Sequence, residues 1–213
     1  MGVLYIISDR PGAGKTILAA SLLARLKKVD RSVAYFKPIS SQPTQDKDTD
    51  FINKVVLNSN GSKILEPLPT VVEETGRFDT VAVVQQIKAT VESARSHTEL
   101  MVIEGPGLPS PADDSPTISA QITRDLRAKV ILVMHYVSDL SEERILEYTG
   151  YFGENPIGLL INAVARFRGR ETDEILSRVS LTPNVKILGC IPEDRSMMAV
   201  TIGQMVDHLN GQW

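Results

Sequence analysis

Two glycines, a lysine and a threonine lie within five residues of one another in Ser8-Asp9-Arg10-Pro11-Gly12-Ala13-Gly14-Lys15-Thr16. Gly12 and Gly14 allow backbone conformations that a side chain forbids, so several N–H groups can converge on phosphate oxygens. Lys15 can then reach the terminal phosphates of a nucleotide, and the Thr16 hydroxyl can ligate Mg²⁺. Such a cradle runs from Pro11 through Gly12, Ala13, Gly14, Lys15 and Thr16 to Ile17. In one respect the stretch departs from the usual pattern, which has glycine where this chain has Asp9.

The cradle needs a strand before it and a helix after it, and both are legible. Val3-Leu4-Tyr5-Ile6-Ile7 is a short apolar run rich in β-formers, which predicts a buried strand. Leu18, Leu22 and Leu26 recur every four residues with Ile17, Ala19 and Leu23 beside them, one apolar face of a helix opening at Gly14-Lys15-Thr16. The N-terminus of that helix adds partial positive charge at the cradle. Strand, glycine-rich turn and helix in this order form a P-loop, and the expectation is nucleotide binding.

Strands and helices alternate through the rest of the chain. Apolar runs predict strands at Ser32–Phe36, Leu100–Ile103, Val130–Met134, Ile157–Ile161 and Val185–Ile191. Between them, 37–50 reads as a polar loop, Phe51–Leu57 as a helix, and 58–78 as turn signals without firm periodicity. Val84, Ile87, Val91 and Ala94 mark a further helix. Gly105–Pro116 reads as a proline-rich loop, with helices expected up to Leu126, over Thr172–Val179 and over Thr201–Leu209; Ser141-Glu142-Glu143-Arg144 resembles the start of a capping box without its glutamate at the third position. Strand runs that do not alternate imply burial on both faces. The fold class is therefore α/β: a P-loop NTPase-type, mostly parallel sheet with helices on both faces, in a single domain over 1–213, complete or the N-terminal part of a larger protein. Ligands in such sheets collect at the carboxyl ends of the strands, which gathers Gly12–Thr16, Lys37–Ser41, Glu104 and Asn162 on one rim.

On that rim Glu104 ends an apolar strand, where an acid can bind Mg²⁺ opposite Thr16; a solvated carboxylate is the plainer alternative. Asp46, Asp48 and Asp50 follow the second strand, and one could complete the metal shell, Asp48 before Asp50, or all three could be the solvating acids common in a polar loop. Lys37 can neutralise charge on a transferred γ-phosphoryl group, or be a surface lysine. Ser40 and Ser41 could bind substrate or shape the turn. His97, His135 and His208 have no ligand-like spacing, and Met197, Met198 and Met205 read as core filler. Cys190 reads as a small hydrophobe on a buried strand.

Composition excludes several partners. The net charge of −3 and the single cysteine among 213 residues, with a sequence pI near 5.7, provide no basic footprint for nucleic acid, no polybasic membrane segment and no disulfide framework. The first residues enter a core strand without a cleavable signal pattern, and no apolar run approaches the ~20 residues of a membrane span. The expectation is a cytoplasmic protein acting on a small molecule.

Together the motifs resemble the dethiobiotin synthetase family, and especially the dethiobiotin-synthetase-like domains at the N-terminus of some phosphotransacetylases. The resemblance spans nearly the whole chain. It rests on Pro11-Gly12-Ala13-Gly14-Lys15-Thr16, Tyr35-Phe36-Lys37-Pro38-Ile39-Ser40-Ser41, Val102-Ile103-Glu104-Gly105, Gly158-Leu159-Leu160-Ile161-Asn162 and Leu188-Gly189-Cys190-Ile191-Pro192-Glu193-Asp194-Arg195. It implies ATP and Mg²⁺ as cofactors, with Lys15 and Lys37 stabilising phosphoryl transfer and Ser41 contacting substrate. Thr16, Asp48 and Glu104 would hold Mg²⁺, Asn162 would bind adenine, and the family's homodimeric site implies a dimer. The implied activity is an ATP-dependent ligase that activates a carbamate or carboxylate for attack by nitrogen. The alternatives are a nucleotide-sensing regulatory domain of a phosphotransacetylase-like protein, or a partition-type ATPase switch in which Arg10 stands where related ATPases carry a signature lysine.

Overall fold

The strands are short β-branched runs with helices between them, and in the computed structural model they form one sheet. The structure describes residues 1–40, 46–57, 63–65, 68, 80–107, 115–153, 155 and 157–194. Its strands are β1 (Gly2–Ser8), β2 (Val33–Phe36), β3 (Lys63–Leu65), β4 (Leu100–Gly107), β5 (Lys129–His135), β6 (Ile157–Val164) and β7 (Val185–Pro192). They stand in the order β3-β2-β4-β1-β5-β6-β7, and every neighbouring pair is parallel. The helices are α1 (Lys15–Lys27), α2 (Lys47–Phe51), α3 (Thr80–Ser93), α4 (Ser115–Leu126), α5 (Glu142–Gly150) and α6 (Gly169–Val179).

Pleating explains why the strands read as continuous apolar runs. On β2, Ala34 and Phe36 join one core cluster with Val84 and Ile87 of α3, Ile122 of α4, Ile145 of α5 and Leu176 of α6. Val33 and Tyr35 point to the other face, against Ala19, Ala20 and Leu23 of α1. Both faces exclude water, so neither set of positions needs polar residues. Among the described residues no helix is long and apolar enough to cross a membrane.

Four expectations change. The helix expected at Phe51–Leu57 begins earlier, at Lys47, because Asp46 caps it by accepting from the Thr49 N–H at 2.8 Å; from Ile52 to Val56 the chain continues as a π-turn. Within 58–78, where no element was expected, Lys63–Leu65 pairs with β2. β4 runs on to Gly107 because, after a register shift, Gly107 still pairs with Ser8. Cys190 is exposed: β7 is an edge strand on which Val185, Ile187 and Gly189 are half-buried while Lys186, Leu188 and Cys190 face outward. The helix expected at Thr201–Leu209, Met197, Met198, Met205, His208 and Ser41 lie outside the described residues.

Candidate functional site

The polar side chains of the P-loop are hydrogen-bonded, and among the described residues Lys15 is held by a neutral hydroxyl rather than a carboxylate. Ser8 Oγ donates to the Arg10 carbonyl at 2.6 Å and accepts from Lys15 Nζ at 2.9 Å. Asp9 replaces the usual glycine and is buried, and its carboxylate joins loop to sheet. One oxygen accepts from Arg10 Nε at 2.9 Å and the other from the His135 N–H at 3.0 Å. Gly14 holds φ at +103°, and a Cβ there would collide with Asn162 Nδ2, which donates to the Ala13 carbonyl at 2.8 Å. Gly12, at φ +73°, has open space where a Cβ would stand. Helix α1 starts with no side-chain cap and no acid in its first turn, so its first N–H groups remain for an anion.

Lys15 is buried and makes no ion pair among the described residues. Burial pushes its pKa down, against the pull of Glu104, and the neighbouring Lys37 lowers it further. A buried ammonium held by one hydroxyl is a strong anion seeker.

Glu104, delivered by β4, is 2% exposed. Oε1 accepts from Thr16 Oγ1 at 2.9 Å and Oε2 from the Tyr35 hydroxyl at 2.8 Å. Burial pushes its pKa up, opposed by those two hydrogen bonds and by Lys15 and Lys37. The next residue must be small: a Cβ on Gly105 would stand 2.6 Å from the Tyr5 hydroxyl oxygen and 2.9 Å from Ile7 Cγ2.

Lys37, just past β2, sits between two carboxylates, with Nζ 2.9 Å from Asp46 Oδ2 and 2.5 Å from Asp48 Oδ2. Burial works against its charge, but the hydrogen bonds to Asp48 and Asp46 leave its pKa raised. Asp46 is itself partly desolvated, yet Ser40 Oγ at 2.6 Å, Lys37 and the Thr49 N–H hold its pKa down to about 2.

These parts open onto one cavity of about 750 Å³, lined by Pro11, Gly12, Gly14, Lys15, Thr16, Ile17, Lys37, Ser40, Asp48 and Glu104, with Ile39, Phe51 and Pro106 as apolar wall. Of the residues singled out in the sequence, Ala13 is fully buried behind the loop. Asn162 braces that loop from the β6 side and is not part of the cavity lining. Asp50 instead pairs with Lys54 at the surface, at 3.5 Å. Tyr35 and the capping role of Asp46 were not read from the sequence; an aspartate three residues before Thr49 was the available signal for the cap.

The oxygens of Thr16, Glu104 and Asp48 suit a hard cation such as Mg²⁺, which takes one or two carboxylates together with substrate phosphates. Among the described residues there is no cluster of three or more His, Cys, Asp or Glu side chains that would hold a metal without a nucleotide.

A family model described as an AAA domain, which covers dethiobiotin synthetase-like P-loop proteins, matches residues 3–201. The chain belongs to this family. It is 21% identical over 234 residues to a phosphate acetyltransferase of Haemophilus influenzae, covering 97% of this chain but 33% of that protein. The chain thus spans about a third of the length of that relative. To an ATP-dependent dethiobiotin synthetase of Caldicellulosiruptor saccharolyticus it is 24% identical over 205 residues, covering 88% of this chain and 84% of that one. Among solved structures the cell division protein MinD of Aquifex aeolicus matches with a TM-score of 0.57 at 16% identity, covering 93% of this chain and 84% of that chain. That likeness is one of fold, and the family's α/β P-loop NTPase architecture is what this chain has.

Proposed function

We propose that the cavity binds Mg-ATP through Pro11–Ile17 and that the chain is a cytoplasmic ATP-dependent ligase, homodimeric like the family it resembles. Its acceptor would be a carbamate or carboxylate activated by phosphoryl transfer. One observation carries this reading: Lys15, which opens α1, and Lys37, just past β2, line a single cavity with Thr16, Asp48 and Glu104. That is the donor set that phosphoryl transfer needs, cations on the transferred group and hard oxygens for a metal.

The acceptor oxygen would attack the γ-phosphorus and the bond to the β,γ-bridging oxygen would break, releasing ADP. A nitrogen lone pair would then attack the acyl phosphate carbon and expel phosphate. In this reading the P-loop N–H groups and Lys15 bind the phosphates, and Lys37 matches charge on the group in transfer. Ser41 would contact the acceptor. Thr16, Glu104 and Asp48 would hold Mg²⁺, which supplies charge neutralisation on the phosphate oxygens. Asn162 is the proposed adenine contact.

The match to one third of a phosphate acetyltransferase favours a second reading, a nucleotide-sensing regulatory domain without ligase activity. ADP release from Mg-ATP, with and without 7,8-diaminopelargonate and bicarbonate, separates the two. Stimulation that disappears in Lys37→Ala supports the ligase. Nucleotide binding with no stimulation would move the chain to the regulatory reading.

A further inference from the structure

Glu104 does not face its cavity alone. Tyr35 is fully buried on β2, and in the β2–β4 ladder its partner is Val102, two residues before Glu104 on the same face of the sheet. Two residues along a strand is about 6.6 Å, so only a long side chain ending in a donor can bridge from that position to the carboxylate. The Tyr35 hydroxyl does so at 2.8 Å, on Oε2, while Oε1 accepts from Thr16. A phenylalanine at 35 would fill the same space beside Ala20 and Leu23 and leave Oε2 without this donor. Thr16 and Glu104 line the cavity and Tyr35 stands behind it.

We propose that Tyr35 is a positioning residue that makes Glu104 a one-oxygen ligand and so sets a preference for a small octahedral cation over a larger one. The inference rests on the Mg-nucleotide reading above. Mg²⁺ demands near-ideal octahedral geometry, whereas Ca²⁺ accepts carboxylates through both oxygens in looser shells of six to eight ligands. The Tyr35 hydroxyl anchors Oε2 and fixes the rotation of the carboxylate. Glu104 thus turns its other oxygen towards the cavity, where the hydrogen bond from Thr16 uses one lone pair and leaves the second for the ion. Freed of that hydrogen bond, the carboxylate can turn and present both oxygens. Groups behind a metal ligand commonly alter metal affinity by about tenfold or more.

The test is calorimetric binding of a non-hydrolysable ATP analogue to wild type and Tyr35→Phe, with Mg²⁺, with Ca²⁺ and with both chelated. The expected result is a fall of about tenfold in the Mg²⁺-to-Ca²⁺ affinity ratio in Tyr35→Phe, with metal-free affinity unchanged. An unchanged ratio overturns the proposal, whatever happens to the melting temperature. If wild type shows no metal-dependent nucleotide binding, the underlying reading fails instead. Should Tyr35→Phe not fold, infrared spectra of Mg-nucleotide-loaded wild type against Glu104→Gln decide the matter. Widely separated carboxylate stretches mark one-oxygen ligation, and closely spaced ones mark chelation and contradict the proposal.

Discussion

Lys15 and Lys37 line the same cavity and have opposite surroundings. Lys15 is buried against one hydroxyl with no carboxylate paired to it among the described residues, and burial drives its pKa down. Lys37 lies between Asp46 and Asp48, which overcome desolvation and drive its pKa up. Residue type alone therefore does not say which lysine is waiting for an anion. The local balance of charge does: a phosphate relieves the unmatched cation at Lys15, while at Lys37 it must compete with two carboxylates already in place.

The sharpest break of this contrast is Lys15→Ala against Lys37→Ala. Lys15→Ala should weaken ATP binding by about tenfold to a hundredfold, the worth of charge-assisted hydrogen bonds. Lys37→Ala should weaken ATP binding by less than Lys15→Ala, because the Lys37 ammonium is engaged by Asp46 and Asp48, and the loss that remains is repulsion from the two carboxylates left unpaired. Fluorescent-nucleotide titration checks both, and equal losses would erase the distinction. Next in size, Glu104→Gln should raise the Mg²⁺ concentration needed for nucleotide binding by about tenfold, read from the same titration at varied Mg²⁺.

Asp46→Ala sharpens the comparison from the Lys37 side. It removes the α2 cap, a loss of about 1 kcal/mol, and half of the pairing on Lys37. Its pH signature has a definite sign. The carboxylate is depressed from 3.8 to about 2 on folding, so its contribution is full above pH 4 and is lost as pH falls towards 2. Lys37 runs the other way: with its pKa raised above 10.5, its contribution holds below that value and fades only as pH rises beyond it. Melting curves between pH 2 and 5 should converge for wild type and Asp46→Ala at the acid end; a constant gap would mean that the Asp46 charge contributes nothing. The smallest effect belongs to Asp48→Asn. The Asp48 side chain is 42% exposed, so stability should change by less than about 1 kcal/mol in a chemical denaturation curve.

The two halves of the site also differed in how readable they were. The P-loop half is local: a strand, Gly12 and Gly14, and an amphipathic helix are contiguous, and Glu104 announces itself as an acid ending an apolar run. The fold followed from the same signal, apolar strands alternating with helices. What was hidden depends on the ladder. Tyr35 meets Glu104 69 residues away through the β2–β4 register, which no spacing in one sequence reveals. In the sequence Asp46 is one of three acids of a polar loop; the hydrogen bond from the Thr49 N–H makes it a cap. Cys190 faces outward on the edge strand β7, and because Leu188 and Cys190 on that outward face are apolar, the sequence shows no polar alternation that would reveal it. β3, at three residues, is too short to show any period.

The central claim is that this cavity takes the phosphates of a Mg-nucleotide. Calorimetric titration of wild type with ATP, in Mg²⁺ and then in chelator, tests it most directly. Saturable binding at one site per chain, tightened by Mg²⁺, is the predicted result. Absence of binding at millimolar ATP, or an affinity indifferent to Mg²⁺, would contradict it.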